Sequence, residues 1–347
     1  MPSDHNRAML LKARTYGLPM LFVVCALLLI SRTFTSQAGQ VTSTLVIGGS
    51  KIDVTIESGE MKLSQAELIQ WVKSAAEAVA TYYGRYPVSH VQVRIIPVDG
   101  SGVRHGQTFG YDGGLIKIRV GKQAQAAELP SDWMLTHEMV HLSFPSMADE
   151  HHWIEEGIAV YVEPIARIQA KQMNAEQMWA DLVRDMPKGL PQGGDRGLDH
   201  THTWARTYWG GALFCFAADV EIRKQTHNKK GLQDALRGIL DAGGDITHDW
   251  ELSEALKIGD RATGTTVLSD LYMSWKDKAV EVNLASMWNE LGVAADGRSV
   301  RLTEDAPLAA VRRAITAPER ANSSISGEVL PSAVFVGRAI AASTPRS

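Results

Sequence analysis

Thr136-His137-Glu138-Met139-Val140-His141 is followed, after a short connection, by His152-Trp153-Ile154-Glu155-Glu156-Gly157-Ile158-Ala159-Val160-Tyr161-Val162-Glu163. The first segment is an H-E-x-x-H pattern. On an α-helix, positions i and i+4 lie about 40° apart around the axis and one turn along, so His137 and His141 can bind one metal ion together. Glu138 points to the neighbouring flank, where a carboxylate can take a proton from water at the metal. Pro130-Ser131-Asp132 supplies a helix start, and Trp133, Met134, Met139 and Val140 supply an apolar back. A catalytic zinc takes three protein ligands and keeps a fourth position open. Glu156, separated from His141 by 14 residues, is the best candidate for the third. It falls on a second helix, and Gly157 beside it permits a close helix approach. Glu163, about two turns farther along the same face, is placed to hold a ligand histidine from behind.

Upstream of this pair of helices the pattern changes period. Residues 41–57 read as two short strands around Gly48-Gly49-Ser50, with Ile52, Val54 and Ile56 alternating against polar neighbours. Ser64 and Glu67 form a capping box that opens a helix over about 64–84, with a stripe of Leu68, Trp71, Ala75 and Val79. Val91, Val93 and Ile95 alternate again, as do Ile116, Ile118 and Val120, with a Gly-rich connection over 100–114 between them. The strand at 114–120 is the candidate edge for aligning an extended peptide. Downstream the chain reads as helices at 131–143, 153–168 with a kink or early end at Pro164, 174–186, 203–225, 231–242, 252–257, 267–281, 284–291 and 304–316. Residues 187–200 read as a mobile loop and Cys215 as a buried structural thiol. His151, His152, His200 and His202 read as solvated loop histidines, with His202 in reach of the cleft on closure.

Trp153-Ile-Glu-Glu-Gly-Ile-Ala-Val-Tyr-Val-Glu163 resembles the third-ligand segment of the gluzincin metallopeptidases, both the aminopeptidase N superfamily and the glycyl aminopeptidase-like branch. The resemblance implies His137, His141 and Glu156 as zinc ligands and Glu138 as the general base. Tyr208-Trp-Gly-Gly-Ala-Leu-Phe214 is similar to the Tyr-x-x-Gly-Ala-Leu stretch of that family, which implies that Tyr208 stabilises the tetrahedral oxyanion. Tyr83-Gly-Arg-Tyr-Pro87, Ile222-Arg-Lys224 and Lys230-Gly-Leu-Gln-Asp-Ala-Leu-Arg237 look most like the glycyl aminopeptidase-like branch. The likeness extends over about 80–300. The His141 to Glu156 spacing is shorter than is common in these relatives, and no Gly-Ala-Met-Glu-Asn motif, which anchors the substrate amino terminus in aminopeptidase N relatives, is present.

At the start of the chain, Arg7, Lys12 and Arg14 precede the apolar run Leu18 to Ile30, and Ser36-Gln37-Ala38 offers a cleavage site. This describes a secretory signal peptide over 1–38, with an uncleaved signal anchor, a membrane tether through 18–30, as the alternative. The chain has 347 residues with Lys and Arg at 35 positions and Asp and Glu at 39. Its net charge of −4 excludes nucleic acid as the main partner. Without 1–38 the balance is 31 basic to 38 acidic residues. Two cysteines cannot build a disulfide framework, so any metal is held by His and Glu.

The expectation is an α+β, thermolysin-like metallopeptidase with a β-rich N-terminal lobe (about 41–125), a helical C-terminal lobe (about 126–316) and a poorly ordered tail over 317–347, in which Ala333 to Val336 could pair as a short strand. The expected activity is an exported, periplasmic or extracellular, Zn²⁺-dependent hydrolysis of peptide bonds in a peptide or protein substrate. Two alternatives share the same motif: a metal-bearing envelope protein that binds a peptide or partner without hydrolysis, and a zinc hydrolase of non-peptide substrates.

Overall fold

The computed structural model describes residues 40–318 and 328–330. The signal segment 1–38, its apolar run 18–30 and the strand expected at 333–336 lie outside the described residues. Strands β1 (Val41–Ile47), β2 (Ser50–Ile56), β3 (His90–Val98), β4 (Val103–Phe109), β5 (Leu115–Gly121) and β8 (Glu328–Leu330) form one sheet in the order β4-β5-β3-β2-β1-β8. The alternation of Ile52, Val54, Val91, Val93, Ile95, Ile116 and Ile118 puts each of these side chains into the core at zero exposure. β2, β3 and β5 are parallel, and the other pairs are antiparallel.

Helix α1 (Gln65–Tyr83) makes the crossover between β2 and β3. Ser64 and Glu67 cap it reciprocally, and Gly84 ends it in the left-handed conformation at φ 78°. Helix α2 (Met134–His141) begins where the Asp132 carboxylate accepts from the amides of Met134 and Leu135. It is followed by α3 (His152–Gln169) and α4 (Ala175–Asp185). Helix α5 (Gly211–Gln225) follows a π-turn at Arg206–Gly210. Helices α6 (Leu232–Asp241), α7 (Leu252–Thr263), α8 (Val267–Trp275), α9 (Leu284–Leu291) and α10 (Ala309–Thr316) complete this part, with a hairpin of β6 (Val293–Asp296) and β7 (Ser299–Leu302) between the last two. The class is therefore mixed α/β, a sheet region followed by helices.

Several local expectations are corrected. The Gly-rich connection contains β4, so the sheet edge is 103–109, and β5 is interior between β3 and β4. Pro164 does not end α3, which continues to Gln169. Residues 187–200 are not a free loop. Leu198 is fully buried, and the Asp199 carboxylate accepts from Trp153 Nε1 at 2.8 Å and from the Tyr272 hydroxyl at 2.9 Å. His151 stands against the same carboxylate, Nδ1 to Oδ1 3.2 Å, and is itself buried. Cys215 is a buried free thiol, and burial raises its pKa. No helix among the described residues is long and apolar enough to cross a membrane.

Candidate metal centre

Helices α2 and α3 cross at the edge of the sheet, and their touching faces bring His137, His141 and Glu156 together. His137 Nε2 lies 3.1 Å from Glu156 Oε2 and 3.2 Å from His141 Nε2, and His141 Nε2 lies 3.6 Å from Glu156 Oε2. Three ligands of a tetrahedral zinc, each about 2.0–2.1 Å from the ion, stand roughly 3.3 Å from one another, so the three atoms have the spacing that such an ion needs. Two imidazole nitrogens and a carboxylate also match its donor preference. The residues present therefore fit the metal. His137 and Glu156 are buried, and His141 is nearly so.

The short connection between His141 and Glu156 does not prevent this convergence. Gly157 faces Gly211 at the start of α5, where a Cβ on either residue would overlap the other helix's backbone. The two helices thus meet main chain to main chain, which seats Glu156 deeply enough to reach the histidine pair.

Burial works to raise the Glu156 carboxyl pKa, but hydrogen bonds with His137, His141 and His152 overcome it and hold it far below the usual carboxylate range. His152, read from the sequence as solvated, clasps two carboxylates. Its Nε2 lies 3.3 Å from Glu156 Oε1 and its Nδ1 3.1 Å from Glu155 Oε2. The i, i+4 spacing of His152 and Glu156 was a signal for this contact. Glu163 does not hold a ligand histidine. Its carboxylate accepts from Arg167 Nη1 at 2.9 Å, whereas His137 Nδ1 is buried without a hydrogen-bond partner.

Glu138 is buried on the flank of α2 that faces β4. The Thr108 hydroxyl donates to Glu138 Oε2 at 2.6 Å and also stands 2.9 Å from the Glu138 carbonyl. Gly106 lies against the same side chain, and a Cβ there would overlap the carboxylate. Neither residue was singled out as functional from the sequence, because the pairing that aims Gly106 and Thr108 at α2 is a property of β4 against β5.

Tyr208 sits within the π-turn rather than in the continuous helix expected over 203–225. Such one-residue expansions re-aim side chains and recur at functional sites. Its ring is stacked on His137 at 6.3 Å and 3°. Burial, followed by the nearby Glu156 and Glu138 carboxylates, raises its pKa and keeps the hydroxyl protonated. His200 pairs with Asp277 at 2.9 Å, and His202 is exposed.

The His-His-Glu cluster lies where α2 meets α3, and the fold that carries it is similar to that of an aminopeptidase N family protein. Among solved structures, an aminopeptidase N family protein from Idiomarina loihiensis matches 77% of this chain and 53% of its own at 12% identity, with a TM-score of 0.53. An M1 zinc metallopeptidase from Deinococcus radiodurans matches 70% of this chain and 53% of its own at 17% identity, with a TM-score of 0.47. The chain thus spans about half the length of these structures, and the likeness to the Idiomarina protein is one of fold. No protein-family model and no curated protein matches the chain.

Proposed function

We propose that the chain is a zinc-dependent metallopeptidase of thermolysin-like arrangement, with His137, His141 and Glu156 as the ligands, Glu138 as the general base and Tyr208 as the oxyanion donor. The observation that supports this most is the joint geometry of α2 and α3: a ligand set with tetrahedral spacing and, one residue from His137, a buried carboxylate held by Thr108. When bound, zinc supplies Lewis acidity and lowers the pKa of water to about 7. Glu138 then receives the proton of the attacking water and later delivers it to the leaving amine. Thr108 fixes the Glu138 carboxylate by donating to Oε2, with Gly106 against Oε1. The Tyr208 hydroxyl, kept protonated, donates to the oxygen on which charge develops. β4, at the sheet edge beside Glu138, offers unpaired main-chain groups to an extended substrate.

The basic, then apolar, start of the chain supports export, with residues 18–30 either removed or kept as a tether. The substrates in this reading are peptides or proteins.

The test is hydrolysis of a fluorogenic peptide library by the zinc-loaded protein. Glu138→Gln should lower turnover by about 100- to 10,000-fold while zinc content stays at one ion per chain. Undiminished turnover would remove Glu138 from the mechanism. Peptide binding without cleavage by the unaltered protein would favour the non-hydrolytic reading.

A further inference from the structure

Beside the metal centre opens a cleft of about 740 Å³ between α3, α4 and the π-turn, with His137 and Tyr208 in its wall. That volume lies within the range of small-ligand sites and exceeds what a single side chain fills. Its mouth is aromatic. Trp133 meets the His137 ring edge-on at 5.3 Å, Tyr208 stacks on His137, and Trp204 stacks on Tyr208 at 5.6 Å. The row Trp133–His137–Tyr208–Trp204 therefore runs through the proposed centre and ends in a tryptophan on each side.

Both terminal tryptophans stand in solvent, Trp133 at 48% exposure and Trp204 at 61%. They are two of the four large hydrophobic side chains exposed among the described residues. Exposed aromatics at both ends of a row that lines a cleft point to a binding surface more than a single scattered apolar side chain does. Behind the row, Val160, Pro164, Met178 and Leu182 line the cleft.

Charge chemistry in the cleft is already committed. Glu163 pairs with Arg167, Asp181 with Arg184, and Asp185 with both Arg184 and Lys188. No acid in the wall is left over for a lysine or arginine side chain of a ligand, and no base for an acidic one. What remains uncommitted is aromatic face and apolar floor.

We infer that this cleft receives a bulky aromatic side chain of the substrate, at a residue flanking the scissile bond, packed along the aromatic row that ends in Trp133 and Trp204. The inference rests on the peptidase reading and adds the substrate class: peptides with Phe, Tyr or Trp beside the cleaved bond. Offset or edge-on contact with an indole of this row favours such a ring over an aliphatic side chain of similar area.

The experiment measures kcat/KM for peptides that differ only in Phe, Ala or Lys at each position flanking the cleaved bond. The same peptides are also titrated against the zinc-loaded Glu138→Gln protein, so that binding is read without turnover. The expected result is a Phe-over-Ala preference of on the order of 10-fold or more at one flanking position. Trp133→Ala and Trp204→Ala should each lower that ratio by about 2- to 10-fold. Trp133→Phe and Trp204→Phe should restore part of it, which separates loss of the aromatic face from misfolding. Cleavage without aromatic preference, or a preference that survives in the Trp133→Ala/Trp204→Ala double variant, overturns the inference and leaves the peptidase reading intact. A Lys preference also overturns it, in favour of cation recognition by the indoles. If no peptide is cleaved, the peptidase reading fails. Tryptophan-dependent, Phe-selective binding to the Glu138→Gln protein would then still uphold the cleft, and non-selective or absent binding would overturn it.

Discussion

The centre has two sides built by different means. On one side, α2 and α3 supply His137, His141 and Glu156 from positions set by helical spacing and by the Gly157–Gly211 contact. On the other, β4 holds Glu138 through Thr108 and Gly106, and a π-turn aims Tyr208. The ligand side depends on local periodicity and one close approach. The reacting side depends on strand register and on an irregular turn, both set by distant parts of the chain. Damage to the first should appear as lost metal, and damage to the second as lost turnover with the metal in place.

The largest effect expected is that of Glu156→Ala. It removes a ligand and leaves the two histidines facing an incomplete site, so zinc content and activity should fall together, as metal analysis after dialysis would report. Full occupancy in that variant would transfer the ligand role to Glu155 or elsewhere. Tyr208→Phe comes next. Loss of one oxyanion donor typically costs about 100- to 1000-fold in kcat, and zinc content should be unchanged. A change confined to KM would make Tyr208 a substrate-binding residue and break the division drawn here.

Glu163, two turns beyond Glu156 on α3 and paired with Arg167, belongs to neither side. Burial pushes its carboxyl up to about 7, against the lowering effect of Arg167. Because this folded-state pKa is above the unfolded value, the native state holds the proton longer, and stability should fall as pH rises from about 4.5 to 7. The contribution is roughly 3 kcal/mol from that shift. Glu163→Gln should flatten the corresponding part of a urea-midpoint profile against pH, and an unchanged profile would assign the slope to other groups.

Gly106→Ala is expected to have the smallest effect. The added methyl presses on the Glu138 side chain from Cγ to Oε1, so turnover should drop by on the order of 10-fold, less than the about 100- to 10,000-fold that a general base contributes. Zinc content should stay constant. A loss of zinc would show that β4 and the ligands are not separable.

The two sides also differ in how far they were legible in the sequence. His137, Glu138 and His141 are brought together by a helical repeat, and the buried alternation of β2, β3 and β5 follows from a period of two. β4 escaped because Val103 to Phe109 is only partly buried, carries Gly106 and lacks an apolar alternation. Its assignment as a strand comes from pairing with β5. The π-turn escaped because its residues satisfy the same helical pattern as α5, and the extra residue leaves no periodic trace. His151 and Asp199 looked like loop residues, yet they meet Trp153 and Tyr272 in one buried polar knot that no single segment encodes. The strand at Glu328–Leu330, beside β1, escaped because a three-residue edge pairing needs little sequence signal.

The abutment of Gly157 on Gly211 has a consequence for ancestry. Each glycine excludes a side chain at the other, so neither position can drift while its counterpart stays put, and a substitution at one has no single-step compensation at the other. Distant homologues that retain this joint should therefore keep both glycines even where helices α6 to α10 have diverged beyond alignment. The spaced pair, read together with the H-E-x-x-H segment, is a compact fingerprint for tracing this lineage.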